Sequence, residues 1–300
     1  MKKYVLVTGS LAYDVIMDFP GKFADHIDPT KTHILNLSFL VDTLKKQKGG
    51  TAGNIAYNLA LLQMPVSILG SAGEDFNEYS DFLQKAGVKV SNIKIVKNKL
   101  TSQAFIVTDQ ADNQITAFYP GAMSENVNLS IEASEFAVIS PNDPRAMINF
   151  ALESQNLNIP YMFDPGMQLP RLSDRQLLQG MTGAKILIGN DYEVTLIKKR
   201  LKEIKVDILI TTFGEKGSLI QTKDQNIEIQ AARPKKVLDP TGAGDAYRAG
   251  FLAGYLQGRD LKECGQMGSV AACYSVEKYG TTTHSFTLDE FQVRYKENYG

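Results

Sequence analysis

The sequence has few cysteines, almost no net charge and no long apolar run, and each of these shortages argues against a class of protein. Its 300 residues contain only Cys264 and Cys273, with no histidine close to them, which is not a zinc-site spacing and suits a reducing compartment, the cytoplasm. The balance of 33 acidic against 32 basic residues argues against a nucleic-acid-binding surface as the main function. No apolar run approaches the roughly 18 residues that a membrane span needs, so we expect no membrane partner.

What the sequence does contain is an alternation of short apolar runs, rich in β-branched residues, with segments of helical periodicity. The apolar runs predict strands over Tyr4–Thr8, Val66–Leu69, Phe136–Ser140, Pro160–Phe163, Lys185–Ile188 and Ile208–Thr212. The periodic segments predict helices over Ala52–Gln63, Phe76–Lys85, Arg145–Asn156, Asp174–Met181, Glu193–Leu201, Gly244–Gln257, Leu261–Val276 and Leu288–Lys296. Continuous apolar strands suit a sheet buried on both faces, so the pattern predicts an α/β fold with a doubly wound, mainly parallel sheet and helices on both faces.

Two stretches, 14–44 and 98–120, depart from this alternation. They alternate apolar with polar residues and lack helical periodicity, as in Val15–Phe19 and Ile115–Tyr119. They predict antiparallel strands that leave the main sheet and form a small β-sheet lid over the carboxyl ends of the parallel strands, where ligands of open sheets bind. The ranges 1–13, 45–97 and 121–300 then form the main domain, which binds nucleotide and substrate. An exposed lid edge can pair between subunits or be capped, so we expect a monomer or a homodimer.

The most informative segment is Asp239–Asp245, which reads Asp-Pro-Thr-Gly-Ala-Gly-Asp and opens a predicted helix. Gly242 and Gly244 keep side chains away from a turn where backbone N–H groups are free and the helix dipole is positive, which makes an anion site. A carboxylate inside an anion site suggests proton transfer. We therefore predict that the N–H groups of Gly242, Ala243 and Gly244 stabilise a migrating phosphoryl group while Asp245 acts as general base on an attacking hydroxyl. The alternative for Asp245 is a helix N-cap.

This segment is not one of the common phosphate-binding motifs. Gly242–Tyr247 lacks the third glycine of the dinucleotide fingerprint, and the chain has no Gly-x-x-x-x-Gly-Lys-Ser/Thr loop. It resembles instead the C-terminal signature of the ribokinase/PfkB family of small-molecule kinases. Three further family motifs occur in the family's order, namely Gly49-Gly50 with Asn54, Asn190-Asp-Tyr-Glu193 and Thr212-x-Gly214-x-x-Gly217. The segments His33–Phe39 and Asp245–Gly250 look most like the bacterial and archaeal nucleoside kinases and adenosine kinases of that family.

The resemblance implies a ribokinase-like fold, ATP as phosphoryl donor and Mg²⁺ as cofactor. Asn190 and Glu193 follow a predicted strand and fall on one face of a helix. They would hold Mg²⁺ through water, because this ion keeps several of its water ligands. The alternative is a helix cap with a surface acid.

Two further segments are assigned to the nucleotide side by the resemblance. The backbone at Thr212, Gly214 and Gly217 would approach the nucleotide phosphates, although a β-turn would also explain the glycines. Asp239, with the stretch Lys278–Thr283, matches the part of the family that often binds a monovalent cation, so K⁺ is a further expected ligand.

The substrate side is assigned in the same way. Asp14 follows the first strand, where its carboxylate could accept hydrogen bonds from two vicinal ribose hydroxyls, or it could simply start a turn. Gly49 and Gly50 would form a hinge that lets the backbone approach substrate and the lid close. Asn54 would bind a sugar hydroxyl; for these three residues the alternative is an ordinary strand-to-helix turn.

Residues of the lid would then determine the substrate specificity. Phe118 and Tyr119 could stack on a nucleobase, although a lid strand needs apolar residues in any case. Asn36 is a candidate contact to the edge of the base. The sequence thus predicts an ATP-dependent kinase for a primary hydroxyl, most simply the 5′-OH of a ribonucleoside such as adenosine or inosine. The alternatives are a kinase for a free sugar or sugar acid on the same scaffold, and a non-catalytic ligand-binding relative.

Overall fold

The computed structural model describes residues 4–27, 37–111 and 113–300, which form thirteen strands and eight α-helices. The strands are β1 (Val5–Thr8), β2 (Ala12–Asp18), β3 (Thr43–Gly49), β4 (Val66–Gly73), β5 (Ile93–Val96), β6 (Ser102–Thr108), β7 (Gln114–Tyr119), β8 (Phe136–Ile139), β9 (Tyr161–Phe163), β10 (Ile186–Asn190), β11 (Ile208–Thr212), β12 (Ser218–Gln221) and β13 (Asn226–Ile229). The helices are α1 (Thr51–Leu61), α2 (Asn77–Lys85), α3 (Pro144–Asn156), α4 (Asp174–Met181), α5 (Asp191–Arg200), α6 (Ala243–Leu256), α7 (Leu261–Val276) and α8 (Leu288–Tyr299).

The main sheet has nine strands in the order β13-β12-β11-β10-β9-β8-β1-β4-β5. Its strands from β11 to β5 are parallel, and β12 and β13 add an antiparallel hairpin at one edge. All six strands predicted from apolar runs lie in this sheet, and the predicted fold class is confirmed. The sequence did not predict β5, β12 and β13, because polar residues break the apolar run in each of these short strands, which read Ile-Lys-Ile-Val, Ser-Leu-Ile-Gln and Asn-Ile-Glu-Ile.

Both faces of the main sheet are covered by helices. In β1, Val5 and Val7 belong to a core that includes residues of α1, α2, α6 and α7. The intervening Leu6 points to the other face and belongs to a second core with α3, α4 and α5, because successive side chains of a strand point to opposite faces. Helix α8 packs on α7 around the buried Phe291. None of the helices that the structure describes is long and apolar enough to cross a bilayer.

The other four strands form a separate small sheet in the order β3-β2-β6-β7. The pairs β2–β3 and β6–β7 are antiparallel, but β2 and β6 are parallel, which corrects the expectation of antiparallel strands alone. The reason is connectivity: a parallel pair needs a long crossover, and here the chain passes through the main sheet between β2 and β6. The expected boundary between residues 44 and 45 falls within β3, and the division into main domain and lid stays a prediction.

Candidate active site

The predicted site residues gather at the carboxyl edge of the main sheet. The chain leaves β1 toward β4 on one side and later enters β8 on the other, so the edge between β1 and β8 is a switch point of the kind where open α/β sheets bind ligands. Hydrogen bonds between side-chain hydroxyls connect the start of α1 to the residues that follow β1 and β8. Thr51, the first residue of α1, has its Oγ1 2.9 Å from Oγ of Ser140, and its N–H donates to Oγ of Ser10 at 3.0 Å. These bonds fix the start of α1 beside the switch point.

Helix α6 begins with unpaired backbone donors. Gly242 has a φ of +81°, in the left-handed region that favours glycine. Within the described residues, the N–H groups of Gly242, Gly244 and Asp245 have no acceptor, whereas the N–H of Ala243 donates to the carbonyl of Pro240 over 3.2 Å. The helix therefore presents free donors and the positive end of its dipole to an anion. Among the predicted donors, Ala243 is the one that is already partly engaged.

Asp245 lies in the first turn of α6 and is partly exposed. Its Oδ2 accepts a hydrogen bond from Nδ2 of Asn54 at 2.8 Å. Burial raises the pKa of Asp245 to about 6; the charges of Asp164 and Asp14 add to the increase, and Arg248 and the Asn54 bond oppose it. A carboxyl group with this pKa accepts a proton more readily than an ordinary aspartate and is still mostly ionised at neutral pH, as a general base requires.

Asn54 is buried in α1 and uses both ends of its side-chain amide. Besides its bond to Asp245, it accepts a hydrogen bond through Oδ1 from Oγ1 of Thr281 at 2.7 Å. This makes Asn54 an orienting partner of the predicted base, and its predicted bond to a sugar hydroxyl stays a prediction. The sequence did not point to the contact with Thr281, because the two residues are separated by 227 positions.

A buried ion pair joins α6 to the end of β9, and its cation, Arg248, had no predicted role. Nε and Nη2 of Arg248 donate to the two carboxylate oxygens of Asp164 at 2.6 and 3.0 Å. The third nitrogen, Nη1, donates to the carbonyl of Gly244 at 2.8 Å. Residues four apart on a helix lie close together, so the contact of Arg248 with Gly244 could have been predicted from the sequence. The contact with Asp164 could not, because the two residues are 84 positions apart.

Asp14 lies on β2, and its carboxylate makes no hydrogen bond with any described residue. Burial raises its pKa to about 6, and the charge of Asp239 adds to the increase. A Cβ at Gly49 would lie 2.3 Å from Oδ2 of Asp14, so a larger residue here would displace the Asp14 carboxylate. Gly50 has a φ of +87°, and the hydroxyl of Tyr79 donates to the carbonyl of Gly49 at 2.9 Å. The strand-to-helix turn at the predicted hinge thus holds its backbone directly against a free carboxylate.

The register of the small sheet places Asp14 in one row with Gln47, Ala104 and Phe118. Residues opposite each other on neighbouring strands share a face, so Phe118 is on the face of Asp14, two strands and about 10 Å away. Tyr119 points to the opposite face, because side chains alternate along a strand. The structure therefore brings only one of the two predicted aromatic residues to the side of Asp14, and it adds Gln47, which was not predicted.

On the nucleotide side, Asn190 and Glu193 form a capping box at the start of α5. Oδ1 of Asn190 accepts from the N–H of Glu193, and Oε2 of Glu193 accepts from the N–H of Asn190, both at 2.8 Å. Burial raises the pKa of Glu193, the charge of Asp164 adds to this, and the Asn190 bond and Arg248 oppose it. Within the described residues, no group of three or more His, Cys, Asp or Glu side chains could hold a metal ion. Asn190 and Glu193 fit an ion that keeps most of its waters, as Mg²⁺ does.

The turn after β11 contains the other predicted nucleotide residues. Thr212 ends the strand, and Gly214 and Gly217 have φ values of +60° and +91°. A Cβ at Gly217 would lie 1.9 Å from the carbonyl oxygen of Ile229, whereas a Cβ at Gly214 would meet nothing within 4 Å. Close packing against β13 thus explains why residue 217 is glycine. At Gly214 the space around the backbone is open, so this is the glycine that a nucleotide could approach.

Two predicted ligand residues remain. Asp239 accepts hydrogen bonds from the N–H groups of Thr241 and Gly280, both at 2.9 Å, and so ties the loop before α6 to the segment after α7. Its role toward a monovalent cation stays a prediction. Asn36 lies outside the described residues.

The sequence matches a known family over nearly its whole length. The family model described as pfkB family carbohydrate kinase matches residues 2–287. The chain belongs to this family. The pfkB assignment confirms the predicted class of enzyme, a kinase that phosphorylates a hydroxyl group, and implies ATP as its donor.

Several relatives that are about a third identical to the chain over most of its length are nucleoside kinases. The chain is 35% identical to the nucleoside kinase of Methanocaldococcus jannaschii over 273 residues, which cover 88% of this chain and 90% of that protein. The structure of Burkholderia thailandensis nucleoside kinase in complex with inosine has a TM-score of 0.90 and 34% identity, and covers 99% of this chain and 98% of that one. The complex of the same enzyme with ADP-inosine has a TM-score of 0.87 and 35% identity, with coverage of 99% and 96%. These similarities support the predicted ribonucleoside kinase.

Proposed function

We propose that the protein transfers the γ-phosphoryl group of ATP to the 5′-OH of a ribonucleoside. The observation that carries this proposal is Asp245, a carboxylate with a raised pKa that lies among unpaired N–H donors at the start of α6. The N–H groups of Gly242 and Gly244 stabilise the charge that develops on the phosphoryl oxygens. Asp245 takes the proton of the attacking hydroxyl, and Asn54 holds its carboxylate in place.

The small sheet supports a nucleoside as the acceptor. Asp14 has a free carboxylate, which suits two vicinal hydroxyls of a ribose. Phe118 lies on the same face and is 44% exposed, so its ring is available to stack on a base. A free sugar or sugar acid would use Asp14 but would have no use for this aromatic ring. This is the feature that favours a nucleoside over a free sugar.

On the donor side, the triphosphate would lie along the turn at Thr212, Gly214 and Gly217, with its terminal phosphate at α6. Glu193 has one carboxylate oxygen outside its capping bond and would hold Mg²⁺ through water, together with Asn190. When bound, the ion would neutralise phosphate charge. Asp239 is the proposed partner of K⁺.

The test is a substrate panel scored by transfer of phosphate from ATP. The purified protein is incubated with MgATP and, in separate reactions, with inosine, adenosine, ribose and fructose. We expect phosphorylation of a ribonucleoside, with the product carrying a 5′-phosphate. Phosphorylation of free sugars alone would replace this proposal with the sugar kinase.

Two further features concern the compartment and the oligomeric state of the enzyme. The two cysteines are buried and unpaired, which suits a reducing cytoplasm. Strand β7 is at an edge of the small sheet, and all six of its residues are exposed, so it is the proposed pairing surface if the protein is a homodimer. Light scattering of a variant with Thr116→Pro in β7 would show whether this edge holds two copies together.

A further inference from the structure

The Arg248–Asp164 pair has a geometry that goes beyond holding the fold together. The side chains of Arg248 and Asp164 are only 10% and 2% exposed, and the guanidinium bonds both carboxylate oxygens. Its remaining nitrogen reaches the carbonyl of Gly244, next to Asp245. Gly244 itself makes room for this: a Cβ there would lie 2.9 Å from Nη1 of Arg248.

We propose that Arg248 is a positioning residue for the general base: it holds the Gly244–Asp245 peptide of the anion site and supplies a buried positive charge beside Asp245. The proposal rests on the proposed function, in which Asp245 takes the proton. Holding the Gly244 carbonyl orients the peptide plane, and with it the Asp245 N–H that faces the phosphoryl group. The charge favours the ionised form of Asp245, the form that can accept a proton.

The charges around Asp245 show why a cation is needed there. Burial disfavours the carboxylate, and Asp164 and Asp14 repel it, whereas Arg248 opposes all three effects. Arg248 also interacts electrostatically with Glu193, so its single positive charge stabilises the ionised forms of Asp164, Asp245 and Glu193. The titratable and charged groups that interact with Asp245 or with Arg248 come from five elements, namely Arg248 and Tyr247 on α6, Asp164 after β9, Asp14 on β2, Tyr79 on α2 and Glu193 on α5.

The pH dependence of kcat/KM separates this role from a purely structural one. The acid limb reports ionisation of the base in the free enzyme. Arg248→Met removes the positive charge, so we expect the limb to move up by about one pH unit and kcat to fall at least about tenfold. Asp164→Asn removes a negative charge and should move the limb down. Opposite shifts from the two partners of one ion pair are a signature of charge, because loss of packing would not depend on the sign.

Two further variants complete the design. Arg248→Lys keeps the charge but cannot make the bidentate pair and the Gly244 bond together; its limb should stay near that of the wild type while kcat falls. The matched control is Arg294→Met, which breaks another buried pair, Arg294–Glu277 at 2.9 Å, with side chains 6% and 15% exposed. We expect Arg294→Met to lower Tm without moving the limb.

The outcomes are decisive in either direction. The inference is wrong if Arg248→Met leaves the acid limb in place, or if Asp164→Asn moves it the same way. If Arg248→Met does not fold, the downward shift in Asp164→Asn and the unchanged limb in Arg248→Lys decide the matter. Asp245→Asn separates this result from the proposed function: if that variant keeps wild-type turnover, the proposed function itself fails.

Discussion

The two sides of the site are built differently. The acceptor side, defined as Asp14, Asn54 and the loop Gly242–Asp245, contains carboxylates with raised pKa values and a buried bond between α1 and α6. The donor side, defined as Asn190, Glu193 and the turn Thr212–Gly217, consists of a tight turn with mostly exposed side chains and a helix cap, in which Glu193 also has a raised pKa but uses its carboxylate in the cap. The acceptor side is thus held in place by contacts between protein side chains, whereas the donor side offers mainly backbone.

This difference suggests where catalysis and where binding reside. Proton transfer needs a group held at fixed distance with a shifted pKa, and such groups require burial and partners. Phosphate binding needs only N–H groups and space, which turns and helix N-termini provide. Substitutions on the acceptor side should therefore change kcat, and those on the donor side should change stability or the KM for ATP.

The largest expected effect is that of Asp245→Asn. Asparagine keeps the size of the side chain and can still bond Asn54, but it cannot accept a proton. We expect kcat to fall by about two orders of magnitude or more, with ATP binding retained. Steady-state kinetics and calorimetric titration with ATP check the two parts, and wild-type turnover would refute the assignment of the base.

On the donor side, two glycines of the same turn should behave differently. Gly217→Ala would press a Cβ onto the carbonyl of Ile229 in left-handed backbone, and we expect a loss of about 3 kcal/mol in the free energy of unfolding. Gly214→Ala meets open space, so only about 1 kcal/mol of backbone strain is expected. Denaturant unfolding measures both. Equal losses would show that the contact with Ile229 does not govern this turn.

Asp14→Asn should make the protein more stable at neutral pH. Because the pKa of Asp14 is about 6 in the folded state, above its ordinary 3.8, its ionised form opposes folding. At about 1.4 kcal/mol per pKa unit, the variant should gain about 3 kcal/mol at pH 7.5, and the gain should shrink as the pH falls below about 6 and vanish below about pH 3. It should also bind nucleoside poorly, as expected when stability and function conflict.

Asp109, in the turn between β6 and β7, is the control of opposite sign. Burial alone would raise its pKa, but hydrogen bonds from Phe23, Asn113 and Ala111 lower it to about 2. Asp109→Asn should therefore destabilise the protein at pH 7.5. If Asp14→Asn and Asp109→Asn changed Tm in the same direction, the charge argument for Asp14 would be wrong.

The smallest effect is expected from the two aromatic residues of β7, which form a matched pair. Phe118 and Tyr119 are 44% and 45% exposed but point to opposite faces of the small sheet. Phe118→Ala should raise the KM for a nucleoside about tenfold, because it removes a stacking surface. Tyr119→Ala should leave it nearly unchanged. Equal effects, or none from Phe118→Ala, would remove the argument for a base platform on the face of Asp14.

Much of this architecture could be predicted from the sequence because it depends on local patterns. The strands of the parallel core have continuous apolar runs, and Gly242 and Asp245 lie in a short motif that also opens a helix. Polar residues interrupt strands β5, β12 and β13, so these strands have no such run and were missed.

The partners of the site residues could not be predicted, because they come from distant parts of the chain. Asn54 meets Asp245 and Thr281, and Arg248 meets Asp164, only after the sheet has assembled. The sheet face of a lid residue could not be predicted for the same reason. Phe118 and Tyr119 are adjacent in sequence, and only the register of β7 with β6 and of β6 with β2 shows which of them lies on the same face as Asp14.

The most direct test of the acceptor side is a crystal structure of the complex with a ribonucleoside and a non-hydrolysable ATP analogue. The account predicts the 5′-oxygen within hydrogen-bonding distance of Asp245 and the terminal phosphate against the N–H groups that begin α6. A terminal phosphate bound elsewhere, or a carboxylate of residue 245 turned away from the 5′-oxygen, would contradict it.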